Sequence, residues 1–160
     1  MFNSPTKGEL TVGEVINDVS NFVKDEPGSY YRLVIGTDSQ TKSTGGKSQI
    51  DFVTAVVVHR QGKGARYFWK KEKKDRIPVL RDKIYTETLL SLSCAQELVP
   101  LLRKAVSPAK YDFEIHIDVG PIGPTRDMIK EVVGMVSGNG FIAKTKPEAW
   151  GASSVADKHT

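Results

Sequence analysis

Three β-rich segments crowd into the stretch from Tyr30 to Lys70, and this crowding constrains the fold more than any other feature of the chain. Tyr30 to Thr37 is strand-like, Gln49 to His59 is dense in β-branched residues, and Ala65 to Lys70 is a third short run. Thr41 to Lys47, polar and glycine-containing, reads as a turn, and Gln61-Gly-Lys-Gly64 as a tight connection. Connections this short predict an antiparallel meander. The pattern then changes. A charged segment, Lys70 to Arg76, leads to Pro78, which suits the first turn of a helix. Ile84, Leu92, Leu98, Leu101 and Leu102 recur at three- and four-residue spacing and predict a helix to about Ala105, interrupted or kinked near Pro100. Tyr111 to Val119 reads as a fourth strand, Thr125 to Val136 as a helix, Phe141 to Lys144 as a short fifth strand, and Pro147 opens a final helix.

Ahead of the meander, Thr11 and Glu14 form a capping-box pattern, and Val15, Val19, Phe22 and Val23 follow at helical spacing. The expected organisation is a helical extension over residues 1–28 and one domain over 29–160, an α/β unit with a mixed five-stranded sheet flanked by helices. The apolar stripe of the leading helix either covers the sheet or docks a second copy as a homodimer.

At 160 residues the chain fits one domain, and its formal charge of +4 is compatible with a polyanionic partner or with a solubilising surface. Cys94 is alone, which excludes an intrachain disulfide. No stretch approaches the roughly 20 apolar residues that span a bilayer, and the first residues show no signal-peptide core. A cytoplasmic protein without membrane contact is expected.

Four acids stand at telling places. Asp38 ends the apolar run from Arg32, Asp118 ends Phe113-Glu-Ile-His-Ile-Asp, Glu87 lies early in the long helix, and Asp157 lies in the last one. Carboxylates gathered at strand ends repel one another unless a divalent cation holds them, and such a cluster serves phosphate chemistry. Alternation puts Val34, Gly36 and Asp38 on one strand face, with open space at Gly36. It also puts Glu114, His116 and Asp118 together, opposite Ile115 and Ile117. Glu87 follows Ile84 by three residues, close to the buried stripe, and Ala152 and Ala156 let the last helix approach the sheet. Taken singly, a strand-end Asp is more often a turn residue or helix cap, and a helical Glu more often solvated; it is their order together that points to a shared site.

The order of elements and acids resembles the ribonuclease H fold, and more closely the bacterial YkuK-type family of ribonuclease H-like proteins. The residues that carry the resemblance are Ile35-Gly-Thr-Asp-Ser-Gln40, Tyr85-Thr-Glu87, Ile115-His-Ile-Asp-Val-Gly120 and Ala156-Asp-Lys-His159. It implies a nuclease that hydrolyses phosphodiesters with two Mg²⁺ or Mn²⁺ ions on Asp38, Glu87, Asp118 and Asp157, acting on RNA, an RNA–DNA hybrid or DNA. The competing expectation is a weak or inactive member that binds nucleic acid or a partner.

Around this frame, His159 is a candidate proton shuttle or a terminal histidine, and Lys158 a candidate phosphate contact. His116 reads as packed near Asp118. Ser39 and Gln40 are candidates for contacting 2′-hydroxyls. Trp69 with Lys70, Lys71, Lys73 and Lys74 combines stacking and cationic groups suited to nucleic acid, or is an edge strand with an aromatic residue in the core. Gly46-Lys-Ser48 imitates part of a phosphate loop but lacks its strand-loop-helix context.

Overall fold

The computed structural model describes residues 1–75, 79–106, 111–146, 148–149 and 151–160. Arg76, Pro78 and Pro147 lie outside the described residues. The elements in chain order are β1 (Phe2–Ser4), β2 (Gly8–Leu10), α1 (Val12–Asp25), β3 (Tyr31–Thr44), β4 (Lys47–Arg60) and β5 (Ala65–Asp75). There follow α2 (Leu80–Ala105), β6 (Tyr111–His116), α3 (Ile129–Gly138) led by a 3₁₀ turn, β7 (Ile142–Lys144) and α4 (Gly151–Lys158).

The strands form one sheet in the order β2-β1-β5-β4-β3-β6-β7. β3, β4 and β5 are antiparallel neighbours, and β6 and β7 continue the sheet in parallel. The mixed α/β class is as expected, but the sheet has seven strands rather than five. Residues 1–28 supply the difference: a small hairpin pairs β1 with the edge of β5 at Asn3 and Trp69. Three-residue strands are too short to show alternation, so no periodicity announces them.

The turn expected over Thr41 to Lys47 is mostly strand. β3 and β4 pair as far as Thr44 and Lys47, leaving only Gly45 and Gly46 between them. Both glycines have positive φ, at 59° and 78°, as a two-residue hairpin turn of this hand requires. Likewise the charged segment after Lys70 continues β5 to Asp75.

The two sheet faces differ. Leu33 and Ile35 of β3 meet Val15, Val19 and Phe22 of α1, Leu98 and Leu102 of α2, and Val132 and Val136 of α3 in one large core. The Thr11–Glu14 capping box is formed at the start of α1. The apolar stripe of α1 is therefore spent inside the molecule and is not a docking face for a second copy. Arg60 fixes the end of that helix. It is buried, donates to the Phe22 carbonyl at 2.5 Å and to the Tyr31 hydroxyl at 3.1 Å, and lies 4.0 Å over the Phe22 ring. Among the described residues, α4 is the helix that covers the opposite face, where Ala156 packs on Val53 and Ala55 of β4. No described helix is long and apolar enough to cross a membrane.

Candidate active site

β6 stops at His116, paired with Gly36 of β3. β3 runs on to Thr44, so beyond Gly36 its β6-side edge is open. Asp38 and Asp118 each lie two residues past that last pair, one on either side of the open end. Side chains from the two sheet faces meet here around the edge, which they could not do through a continuous sheet.

α2 brings Glu87 to this opening. Ser39 donates a short hydrogen bond to Glu87, and the Thr37 hydroxyl bonds Ser91 at 2.7 Å and Thr54 at 3.0 Å. Thr37 and Ser39 are separated by roughly 6.7 Å along a strand, and Glu87 and Ser91 by about one helical turn, so the two ladders fit. These bonds satisfy groups that are buried on both elements, and they fix α2 against β3 at the level of Asp38.

α4 brings Asp157 from the other side. It sits close because Gly36 has no side chain: a Cβ there would lie 2.9 Å from the Ala152 Cβ and 3.3 Å from the His116 carbonyl oxygen. Asp157 stands within hydrogen-bonding reach of Asp38, and Asp118 adds its charge. Burial, reinforced by those two carboxylates, raises the Asp38 pKa to about 6 against the opposing Ser39 backbone N–H. Burial also lifts Glu87 to about 8; the Ser39 hydroxyl opposes this, while the Asp38 and Asp118 charges add to it.

Two of the acids already have protein partners. Lys146 pairs with Asp118 at 2.6 Å, as Ser39 does with Glu87. Lys146 is aligned by backbone bonds that extend β7 along the end of β6, Ile117 N–H to the Lys144 carbonyl and Lys146 N–H to the Val119 carbonyl. Gly120 leaves room, since a Cβ there would lie 3.0 Å from the Lys146 Cβ. Among the described residues no three His, Cys, Asp or Glu side chains are grouped to ligate one ion as they stand. The acids feel one another's charge without yet sharing a ligand position. Carboxylates are hard-cation oxygen donors in kind, and burial is the main cause of the raised Asp38 and Glu87 pKa values.

The remaining candidates divide. His159 is not with the acids. It stacks on Trp69 with ring centroids 3.7 Å apart and planes 8° from parallel, and the charges facing it are Lys158 and Lys71. Trp69 is thereby engaged within the protein and packs beside Val53 and Ala55. His116 is buried, with Nε2 3.2 Å from Glu114, which also pairs with Arg32; burial lowers the His116 pKa. Ser39 is buried on Glu87, whereas Gln40 and Lys158 are exposed. Strand alternation splits the lysines: Lys71 and Lys73 share the α4 side with Trp69, while Lys70 and Lys74 point to the other side with the buried Phe68. Lys146 was missed in the sequence because it lies in the link after β7, with nothing nearby to connect it to Asp118.

No solved structure matches the chain. A family model described as "Ribonuclease H-like" matches residues 14–160. The chain is 35% identical over 170 aligned positions to the protein of Bacillus subtilis (strain 168) named "Uncharacterized protein YkuK", covering 100% of this chain and 96% of that one. A mixed sheet flanked by helices agrees with that match, and the chain belongs to the ribonuclease H-like family, in its YkuK-type branch.

Proposed function

We propose that the protein is a divalent-cation-dependent nuclease that hydrolyses phosphodiester bonds of nucleic acid. What supports this reading is that Asp38 feels the charges of Asp157 and Asp118, and Glu87 those of Asp38 and Asp118, beside the open strand end, with Asp38 and Glu87 both driven toward the protonated state. Asp38, Glu87, Asp118 and Asp157 are the residues that would hold the cations. Two Mg²⁺ or Mn²⁺ ions held there would activate a water for attack and stabilise the departing 3′-oxygen.

The chain's own groups do the rest. Lys146 pairs with Asp118 through Oδ1 and would compete with a cation for that oxygen; its ammonium would suit a phosphate oxygen brought to the site. Ser39 holds the Glu87 rotamer, while Thr37 and Ser91 keep the α2 backbone at a fixed height. Gly36 and Ala152 set the depth of α4 and therefore the reach of Asp157.

The test pairs calorimetric titration of Mn²⁺ with cleavage of labelled RNA–DNA hybrid, single-stranded RNA and DNA, using wild type and Asp38→Asn side by side. Cation-dependent cleavage that disappears with Asp38→Asn is the expected result. Unchanged Mn²⁺ affinity in that variant would remove the proposal.

A further inference from the structure

α4 carries Asp157 to within hydrogen-bonding reach of Asp38, and with no cation present the two carboxylates repel. The helix opposes this with small contacts. Ala152 rests on Gly36, and Ala156 on Val53 and Ala55, and methyl groups bury little apolar surface. Larger rings take over directly past the helix. His159 lies flat on Trp69 of β5, with ring centroids 3.7 Å apart and planes 8° from parallel. Tyr67 adds its ring 5.9 Å from His159 and 5.8 Å from Trp69. Trp69 in turn packs with Val53, Ala55 and Ala156, so the stack carries the apolar contact of α4 onto β5. Well-placed aromatic pairs contribute beyond the area they cover.

The backbone joins this stack to the acid. The His159 N–H donates to the Ala156 carbonyl at 3.0 Å. Thr160 donates to the Asp157 carbonyl through its N–H at 3.3 Å and through its hydroxyl at 2.9 Å. Lys42 of β3 donates to the Thr160 carbonyl at 3.1 Å. Asp157 therefore lies in a closed turn that a ring fastens to β5 and an ammonium group fastens to β3. His159 Nε2 is buried and, among the described residues, has no hydrogen-bond partner. The ring is thus held by its face, and that nitrogen is not placed to carry protons between the acids and water.

Resting on the cation site of the nuclease reading, we propose that His159 is a positioning residue: its stack on Trp69 latches the end of α4 to β5 and holds Asp157 beside Asp38, so that the latch and a bound cation strengthen one another. A cation held by Asp38 and Asp157 favours the same closed arrangement as the stack. Such coupling is reciprocal, and the factor that the stack adds to cation affinity is the factor by which the cation steadies the stack. The ring acts through its aromatic face, so a phenyl group can take its place.

Calorimetric titration of Mn²⁺ and hydrogen exchange over residues 151–160, both read without cleavage, compare wild type with His159→Ala, His159→Phe and Asp157→Asn. His159→Ala should weaken Mn²⁺ binding about two- to tenfold, the contribution of one aromatic pair, and should speed exchange in EDTA. His159→Phe, which stacks but carries no proton, should restore both and should cleave as wild type does. Mg²⁺ should slow exchange in wild type. Asp157→Asn removes the charge that works against the stack, and should slow exchange in EDTA at pH 8. Unchanged affinity and exchange in His159→Ala, a His159→Phe variant as impaired as His159→Ala, no slowing by Mg²⁺ in wild type, or exchange in Asp157→Asn no slower than in wild type would each overturn the latch. If His159→Ala does not fold, the other three proteins still decide. The two proposals separate. Cleavage by wild type, with exchange indifferent to His159 and to Mg²⁺, sinks only the latch. Mutual strengthening of cation and stack without any cation-dependent cleavage sinks only the nuclease.

Discussion

The two faces of the sheet are built by different rules. On one, α1, α2 and α3 press large side chains such as Phe22 and Leu98 against Phe68 of β5 and its neighbours in a continuous apolar core. On the other, among the described residues, one eight-residue helix rests on glycine and alanine, and beside it lysines lie over a buried aspartate. Thickness confers stability, and thinness leaves room for charge. The acids lie where the thick side and the thin side meet, at the strand end that β6 leaves open.

Four experiments bear on this contrast. The largest effect is expected at the junction: Asp38→Asn should reduce cation-dependent cleavage by at least about 10²–10³-fold while leaving the thermal midpoint near or above that of wild type. A variant that cleaves normally would show that the junction does no chemistry. On the thick side, Leu98→Ala should destabilise by about 2–5 kcal/mol in urea melts through the cavity it leaves, with Mn²⁺ affinity unaltered. Loss of metal binding at that distance would blur the division.

On the thin side, Gly36→Ala should cost about 1–3 kcal/mol and weaken cleavage, because the new methyl group displaces α4 and Asp157 with it. Adding Ala152→Gly should recover part of both losses; failure of that rescue would mean that the close approach does not set the site. Removing the lysine counter-charge is the smallest change. Lys146→Gln should tighten Mn²⁺ binding about two- to five-fold in calorimetry, since an exposed ion pair is worth under about 1 kcal/mol. Weaker binding instead would make the lysine a support rather than a competitor.

The pH dependence of the metal-free protein sharpens the same point. Asp38 near 6 and Glu87 near 8 lie above the ordinary carboxyl value of about 4, so the folded state binds more protons than the unfolded state between these limits. Their contribution to stability is full in acid and is lost as pH rises through about 6 and then about 8. Melts in EDTA should therefore show declining stability from pH 5 to pH 9. Glu87→Gln should remove the upper part of the decline, a gain of at least about 1 kcal/mol at pH 9. An identical pH profile in that variant would refute the assignment.

Much of this was legible in the sequence. The meander, the long helix and the positions of Asp38, Glu87 and Asp118 follow from alternation, helical spacing and the ends of apolar runs. The hairpin over Phe2–Leu10 was hidden because three residues cannot display a period. The overhang of β3 and β4 was hidden because Thr41, Lys42 and Ser43 have the composition of a loop, and only the Gly45-Gly46 turn makes them strand. The stacking of His159 on Trp69 left no trace, since it depends on where a helix crosses a strand far away in sequence. The division of Lys71 and Lys73 from Lys70 and Lys74 was within reach, because alternation alone dictates it once β5 is known to continue.

A helix as short as α4 does not persist by itself in water, where isolated helices need about 12–15 residues to be even marginal. It exists because the alanine–glycine seat receives it, and so the fourth carboxylate is present only while the tail is docked. Losing the tail from Gly151 onward would remove Asp157 and leave the large apolar core intact, giving a folded protein with one of the four acids gone.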